Sequence, residues 1–174
     1  MTIIYDMNDN TEGLNAFLSL SESYYIGPRN LDVGGDPFLT PLIEDVLDIS
    51  NTVYNPYISK YNILSDKKYD TVTSFSVLNI LVKKEREQYL LDKKLARSHI
   101  ELCIWYLVPN KGRIYIKVYE GDRSNKGGKK LHQKYIQTNM HWLKYKELLF
   151  DISNDNGCEL YVDYLTNTFV IKNY

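Results

Sequence analysis

At 174 residues, 44% apolar and with a formal net charge of −1, the chain suits one globular domain able to bury its own core. Its two cysteines, Cys103 and Cys158, are too few for a disulfide framework and lack metal-ligand spacing. No apolar run approaches the roughly 18–20 residues of a membrane span, and the N-terminus, with Asp6, Asp9 and Glu12, lacks a signal-peptide pattern, so a soluble cytoplasmic protein is expected.

Residues 1–28 carry weak periodicity anchored by Leu14, Phe17, Leu18 and Tyr25, and predict a leading helix or lid ahead of a core over residues 29–174. Leu31-Asp32-Val33 predicts the first strand. Pro37 suits the first turn of a helix, and Leu39, Leu42, Ile43, Val46 and Leu47 then recur at helical spacing. Residues 51–55 predict a short second strand, stopped by Pro56. Residues 69–76 predict another strand, with Val72, Phe75 and Val77 as its apolar positions.

From Glu85 a long helix is expected, with Leu91, Leu95, Ser98, Leu102 and Trp105 as its apolar stripe. Cys103 falls among these apolar positions and reads as a buried thiol. Pro109 and Gly112 mark a turn, and the alternation of Ile114, Ile116 and Val118 predicts a strand over residues 113–119. A glycine- and lysine-rich loop follows over residues 124–130. Leu131, Tyr135, Trp142, Leu143 and Leu149 suggest a further helix, and residues 159–164 and 168–174 close the chain as a hairpin about Leu165-Thr166-Asn167. Strands alternating with helices and ending in a hairpin predict an α/β fold. It is a doubly wound, mostly parallel sheet with helices on both faces and an antiparallel C-terminal hairpin strand.

The segment richest in chemistry is Asn30-Leu31-Asp32-Val33-Gly34-Gly35-Asp36. Strand, glycine turn, helix is how an open α/β sheet offers backbone amides to a ligand. Adjacent glycines at a strand end serve close approach or a positive φ. Asp32 either orients a ligand or caps the turn. The charge is uneven: acids dominate before Asp70, whereas Lys111, Arg113, Lys117, Arg123, Lys126, Lys129, Lys130 and Lys134 dominate the stretch from Lys111 to Lys134. That stretch is either a solvated face or a site for an anionic partner.

Three segments together make the chain resemble the class I methyltransferases that use S-adenosylmethionine, and among them a small group found in phages, other viruses and bacteria. The first is the acid-then-glycine run Leu31–Asp36. The second is Val53-Tyr54-Asn55-Pro56-Tyr57, where relatives tend to have Tyr-Asp-Pro. The third pairs residues 69–79, ending Ser74-Phe75-Ser76-Val77-Leu78-Asn79, with Val118-Tyr119-Glu120-Gly121-Asp122. The resemblance covers residues 29–174 and implies a Rossmann-like fold, a transferase activity and S-adenosylmethionine as cofactor. It further implies that Gly34 and Gly35 let the backbone approach the methionine part, that Asp32 orients its amino group, and that Asn55 meets the ribose. Ser74, Ser76 and Asn79 would border the methionine and adenine, and Glu120 or Asp122 would serve as the base toward a methyl acceptor, either a small molecule or a nucleic acid.

The chain departs from the family's pattern at three places. Asp36 stands where relatives keep a glycine. Asn55 replaces an acid and is the poorer bidentate acceptor. The link from Asn55 to Asp70 leaves little room for the usual helix and third strand, with Asp66 the candidate adenine-contacting acid.

Bland readings stand beside these. Asn-Pro is an ordinary turn, and Glu120 and Asp122 can pair with neighbouring lysines. His99, His132 and His141 have no metal-binding spacing, and no serine or cysteine sits in a nucleophile elbow. Asn55-Pro56-Tyr57 has one proline too few for the motif of amino-methylating DNA enzymes. The rival function is a binding or scaffold protein that has kept the fold without catalysis. A nicotinamide-dependent reductase ranks last, since the third glycine of that fingerprint is missing.

Overall fold

The computed structural model describes residues 10–56, 58–85, 88–120, 129–131, 135–138 and 140–174. Helix α1 (Asn10–Ser23) leads into β1 (Arg29–Val33), and α2 (Thr40–Leu47) carries the chain to β2 (Ser50–Tyr54). After β3 (Thr71–Phe75) come a hairpin, β4 (Val82–Glu85) and β5 (Gln88–Leu91), then α3 (Lys93–Trp105) and β6 (Arg113–Lys117). A second hairpin, β7 (Lys129–Leu131) and β8 (Tyr135–Gln137), precedes α4 (Lys146–Asp155), β9 (Cys158–Asp163) and β10 (Thr168–Asn173).

Six strands form the central sheet in the order β2-β1-β3-β6-β10-β9. The first four are parallel, and β10 runs antiparallel to both β6 and β9. The mostly parallel sheet with a reversed hairpin strand agrees with the sequence expectation. Both faces are covered, so the inner strands are apolar runs rather than alternating ones: Ile114, Tyr115 and Ile116 are all fully buried, as are Phe169 and Ile171. On one face Leu31, Val72, Ile114, Ile116 and Ile171 pack with Ala96, Ile100 and Cys103 of α3 and Leu149 and Ile152 of α4. On the other, Tyr115 and Val170 pack with Phe17 and Leu20 of α1, with Ile26 ahead of β1, and with Ile43 of α2.

Several local expectations are corrected. The helix after the glycine turn starts at Thr40 with Pro41 in its first turn, not at Pro37, because the Asp36 side chain accepts the Phe38 amide (2.9 Å) and holds residues 36–38 in a turn. No helix starts at Glu85. The chain forms the β4–β5 hairpin, and α3 begins only where the Asp92 carboxylate accepts the amides of Lys94 and Leu95 at 3.0 and 3.1 Å. The buried stripe of α3 is Ala96, Ile100 and Cys103, whereas Leu95 and Trp105 face solvent. Leu131 and Tyr135 belong to the β7–β8 hairpin, not to a helix. In α1, Leu20 rather than the exposed Tyr25 completes the packing face. Residues 121–128, with most of the glycine- and lysine-rich loop, lie outside the described residues.

Among the described residues no strand separates β2 from β3, only a short 3-10 turn at Ser59–Tyr61. The sheet therefore stops at β2, as the short link predicts. No described helix is long and apolar enough to cross a membrane.

Candidate functional site

β1 sends the chain outward to β2 while β3 lies on its other side, so the strand order reverses between β1 and β3. At such a switch point the carboxyl ends of parallel strands leave a crevice where open α/β sheets hold ligands. The register brings Asp32 beside Val53 of β2 and Thr73 of β3.

Asp32 is buried, and its Oδ1 accepts the Thr73 hydroxyl at 3.0 Å. Thr73 in turn accepts from the Asn30 amide (3.0 Å), which also donates to the Asn51 side chain (2.7 Å), while the Thr71 hydroxyl donates to Asn30 (2.8 Å). These groups form a buried polar ladder across three strands, a network that orients its members when fully bonded. Burial raises the Asp32 carboxyl to about 7, the hydrogen bond from Thr73 opposes the rise, and the Asp36 charge adds to it.

The glycine turn is built onto that carboxylate. Gly34 has φ +82°, and a β-carbon there would lie 2.4 Å from Val77 Cγ2; one on Gly35 would lie 1.9 Å from Asp32 Oδ2. Only glycine fits both places. The Gly34 amide donates to the Tyr54 carbonyl (2.7 Å), and Asn55 Nδ2 donates to the Gly35 carbonyl (3.2 Å). Asp32, Gly34, Gly35 and Asn55 are thus brought together, with the segment after β3 against Gly34 through Val77.

The remaining candidates divide. Ser76 is exposed with φ 58°, and its amide donates to the Lys117 carbonyl. Asn79 is buried in the 3-10 turn Leu78–Ile80, its carbonyl accepting the Thr138 amide at 2.7 Å. The Ser74 side chain instead lies on the α3 side of the sheet, fully buried and 2.8 Å from His99 Nε2. Burial lowers His99 to about 4 and pushes the nearby Cys103 thiol up to about 12, which leaves that thiol unreactive. Glu120 accepts the Trp142 amide (2.8 Å) at the start of the 3-10 turn leading into α4, with His141 Nε2 at 3.7 Å. Asp122 and Tyr57 lie outside the described residues. No group of three or more metal-ligating side chains occurs among the described residues.

Sequence reasoning passed over Asn30, Asn51 and Thr73. The available signal was their amide and hydroxyl side chains at strand positions where apolar residues would be expected.

The strand order, switch point and reversed strand are those of the class I methyltransferase fold. The particular comparisons are distant in sequence. The chain is similar to magnesium protoporphyrin IX methyltransferase from Synechocystis PCC 6803 with bound SAH, at TM-score 0.50 and 13% identity over 95% of this chain and 84% of that one. The same enzyme with bound SAM gives 0.49 at 12% identity (96% and 80% covered). A TehB-like SAM-dependent methyltransferase from Corynebacterium glutamicum ATCC 13032 gives 0.45 at 13% (96% and 97%). No protein-family model and no curated protein matches the chain.

Proposed function

We propose that the protein is an S-adenosylmethionine-dependent methyltransferase, its 174 residues forming a single domain of this class. The observation that carries the reading is the Asp32 carboxylate buried against Gly35 in the glycine turn at the switch point, with Asn55 bonded to the same turn. An acid under a backbone without side chains suits a ligand end that bears an ammonium group and must come close to the chain.

In this reading Asp32, held by Thr73, orients the amino group of the cofactor's methionine part, and the Gly34–Gly35 backbone lies alongside it. Asn55 meets the ribose, and Ser74, Ser76 and Asn79 line the segment bordering methionine and adenine, Ser74 through its backbone. When bound, the cofactor supplies an electrophilic methyl group. The protein's part is positioning, which alone removes much of a transfer barrier, and deprotonation of the acceptor where needed. Glu120 and Asp122, after β6, are the residues we assign to that step. The acceptor is a small molecule or a nucleic acid, and the cations between Lys111 and Lys134 favour an anionic one. Within the class we favour the small phage, viral and bacterial group, on Val118–Asp122.

Asn55 favours one second reading. A neutral amide stands in place of the ribose-binding acid and donates to Gly35, as expected of a fold kept for binding alone. Isothermal titration with S-adenosylmethionine and S-adenosylhomocysteine, and NAD as control, separates the two. Micromolar binding weakened by Asp32→Ala is expected; no heat and no thermal shift with either would transfer the assignment to a binding protein.

A further inference from the structure

At the other end of the sheet from the glycine turn, the amino ends of β3 and β6 meet the carboxyl end of β10 around a groove of about 660 Å³. Among the described residues three cations line it: Lys111 in the turn before β6, Arg113 at the start of β6, and Lys172 near the end of β10. Arg113 and Lys172 stand directly opposite each other in the antiparallel β6–β10 pair. Like charges so placed repel and weaken a sheet, a local conflict of the kind proteins retain at functional sites.

Two acids lie nearby, and each is engaged elsewhere as well. Asp70, the carboxylate lining the groove, is held by a two-pronged bond from Arg29, at 2.9 Å to Nε and 3.0 Å to Nη2. Glu159, beside Lys172 on β9, accepts the Tyr174 hydroxyl. Among the described residues, Lys111, Arg113 and Lys172 form no ion pair. Two aromatic rings complete the rim: Tyr25 is 70% exposed and Tyr174 69%. The Tyr25 carbonyl accepts the Tyr115 hydroxyl at 2.9 Å, which fixes its backbone at the groove's edge.

Converging cations beside exposed aromatic faces match a phosphate joined to a planar base. Guanidinium and ammonium groups take the phosphate oxygens, and a tyrosine ring accepts the base whatever its identity. We propose that this groove binds a nucleotide, either free or as part of a single strand. Lys111, Arg113 and Lys172 hold the phosphate, and Tyr25 or Tyr174 stacks the base. The site is separate from the Asp32 crevice, and the inference stands whether or not the methyltransferase reading does. Among the described residues of the basic stretch, Lys111 and Arg113 line it, and Lys172 joins them from a distant part of the chain.

The test is fluorescence anisotropy of the full chain with a labelled single-stranded oligothymidylate, competed by adenosine monophosphate and by inorganic phosphate. Binding is expected to weaken with salt with a log–log slope of about −2, as three contacts to a single strand imply. Arg113→Ala and Lys172→Ala should each lower affinity about tenfold or more while the unliganded variants still melt cooperatively. The paired Tyr25→Ala and Tyr174→Ala changes should cost a further fivefold or more. Lys93→Ala with Lys94→Ala, on α3 away from the groove, should leave binding unchanged. Competition by the mononucleotide supports the free nucleotide as occupant, and binding of the strand alone supports the strand. The proposal is overturned if neither probe binds, or if binding ignores Arg113→Ala and Lys172→Ala. Inorganic phosphate competing as well as the mononucleotide, with the tyrosine changes silent, overturns it too.

Discussion

The Asp32 carboxylate occupies the space that a side chain on Gly35 would need: a β-carbon there would stand 1.9 Å from Oδ2. Acid and glycine are three residues apart in the chain, yet the turn folds one onto the other, so a side chain at position 35 requires the acid to move. Gly35→Ala is therefore expected to destabilise the fold by about 2 kcal/mol or more, since a buried charge-bearing group must move. Gly34→Ala adds a β-carbon at φ +82° against Val77 and is expected to cost roughly 1–3 kcal/mol. Chemical denaturation of the two variants measures both.

A pH dependence follows from the same carboxyl. Burial places Asp32 near 7, above its ordinary 3.8, so the folded state holds the proton more tightly than the unfolded one. Its contribution to stability is full below about 4 and is lost as the pH rises through about 7. Melting curves between those values should show the parent losing stability relative to Asp32→Asn as the pH is raised. An equal slope in both proteins would remove Asp32 as the cause.

His99 works in the opposite sense. Burial lowers it from 6.5 to about 4, so its contribution is present above about 6.5 and declines as the pH falls toward 4. Replacing it with Phe should flatten that acid limb. Because the Ser74 hydroxyl, 2.8 Å away, then loses its partner, His99→Phe should also cost roughly 1–3 kcal/mol near neutrality, and Ser74→Ala added to it should recover part of the loss.

Asn55→Ala removes the bond from Nδ2 to the Gly35 carbonyl. The change is expected to weaken S-adenosylhomocysteine binding about tenfold while costing only about 1 kcal/mol in stability, the worth of one ordinary hydrogen bond. Titration and melting on the same preparation separate the two effects.

Glu120 has a structural task, accepting the Trp142 amide, which must be separated from any chemical one. Glu120→Gln keeps an acceptor oxygen and should melt within about 1 kcal/mol of the parent, whereas Glu120→Ala should lose roughly 1–2 kcal/mol with the cap. If Glu120 is also the base, Glu120→Gln lowers methyl transfer by about 10²-fold or more. Full activity in both Glu120→Gln and Asp122→Asn would remove the two residues from that role.

The sheet was legible in the sequence because its strands leave period and punctuation behind: the alternation of Ile114 and Ile116 after Gly112, the hairpin about Asn167, and the paired glycines after Val33. What misled was periodicity without its cap. Leu91, Leu95, Leu102 and Trp105 look like a helical stripe, but Asp92 starts α3 one residue after Leu91, and tertiary packing selects Ala96, Ile100 and Cys103 instead. The Asp32–Gly35 turn was legible because such geometry demands glycine. Its support by Asn30 and Thr73 was not, because a bond between side chains on neighbouring strands has no fixed spacing. The opposed pair Arg113 and Lys172 was hidden for the same reason.

The sheet's end at β2 has a consequence for how copies of the chain meet. An edge strand invites another chain to extend the ladder, with aggregation as the outcome. Here two amides of that region are already taken: Glu44 reaches across from α2 to accept the Asn51 amide at 2.8 Å, and the Tyr61 carbonyl accepts the Asn55 amide at 2.7 Å. With Pro56 closing the strand, an incoming chain finds its hydrogen-bonding positions occupied at both ends. Glu44 and Tyr61 therefore blunt the β2 edge of the sheet against strand addition.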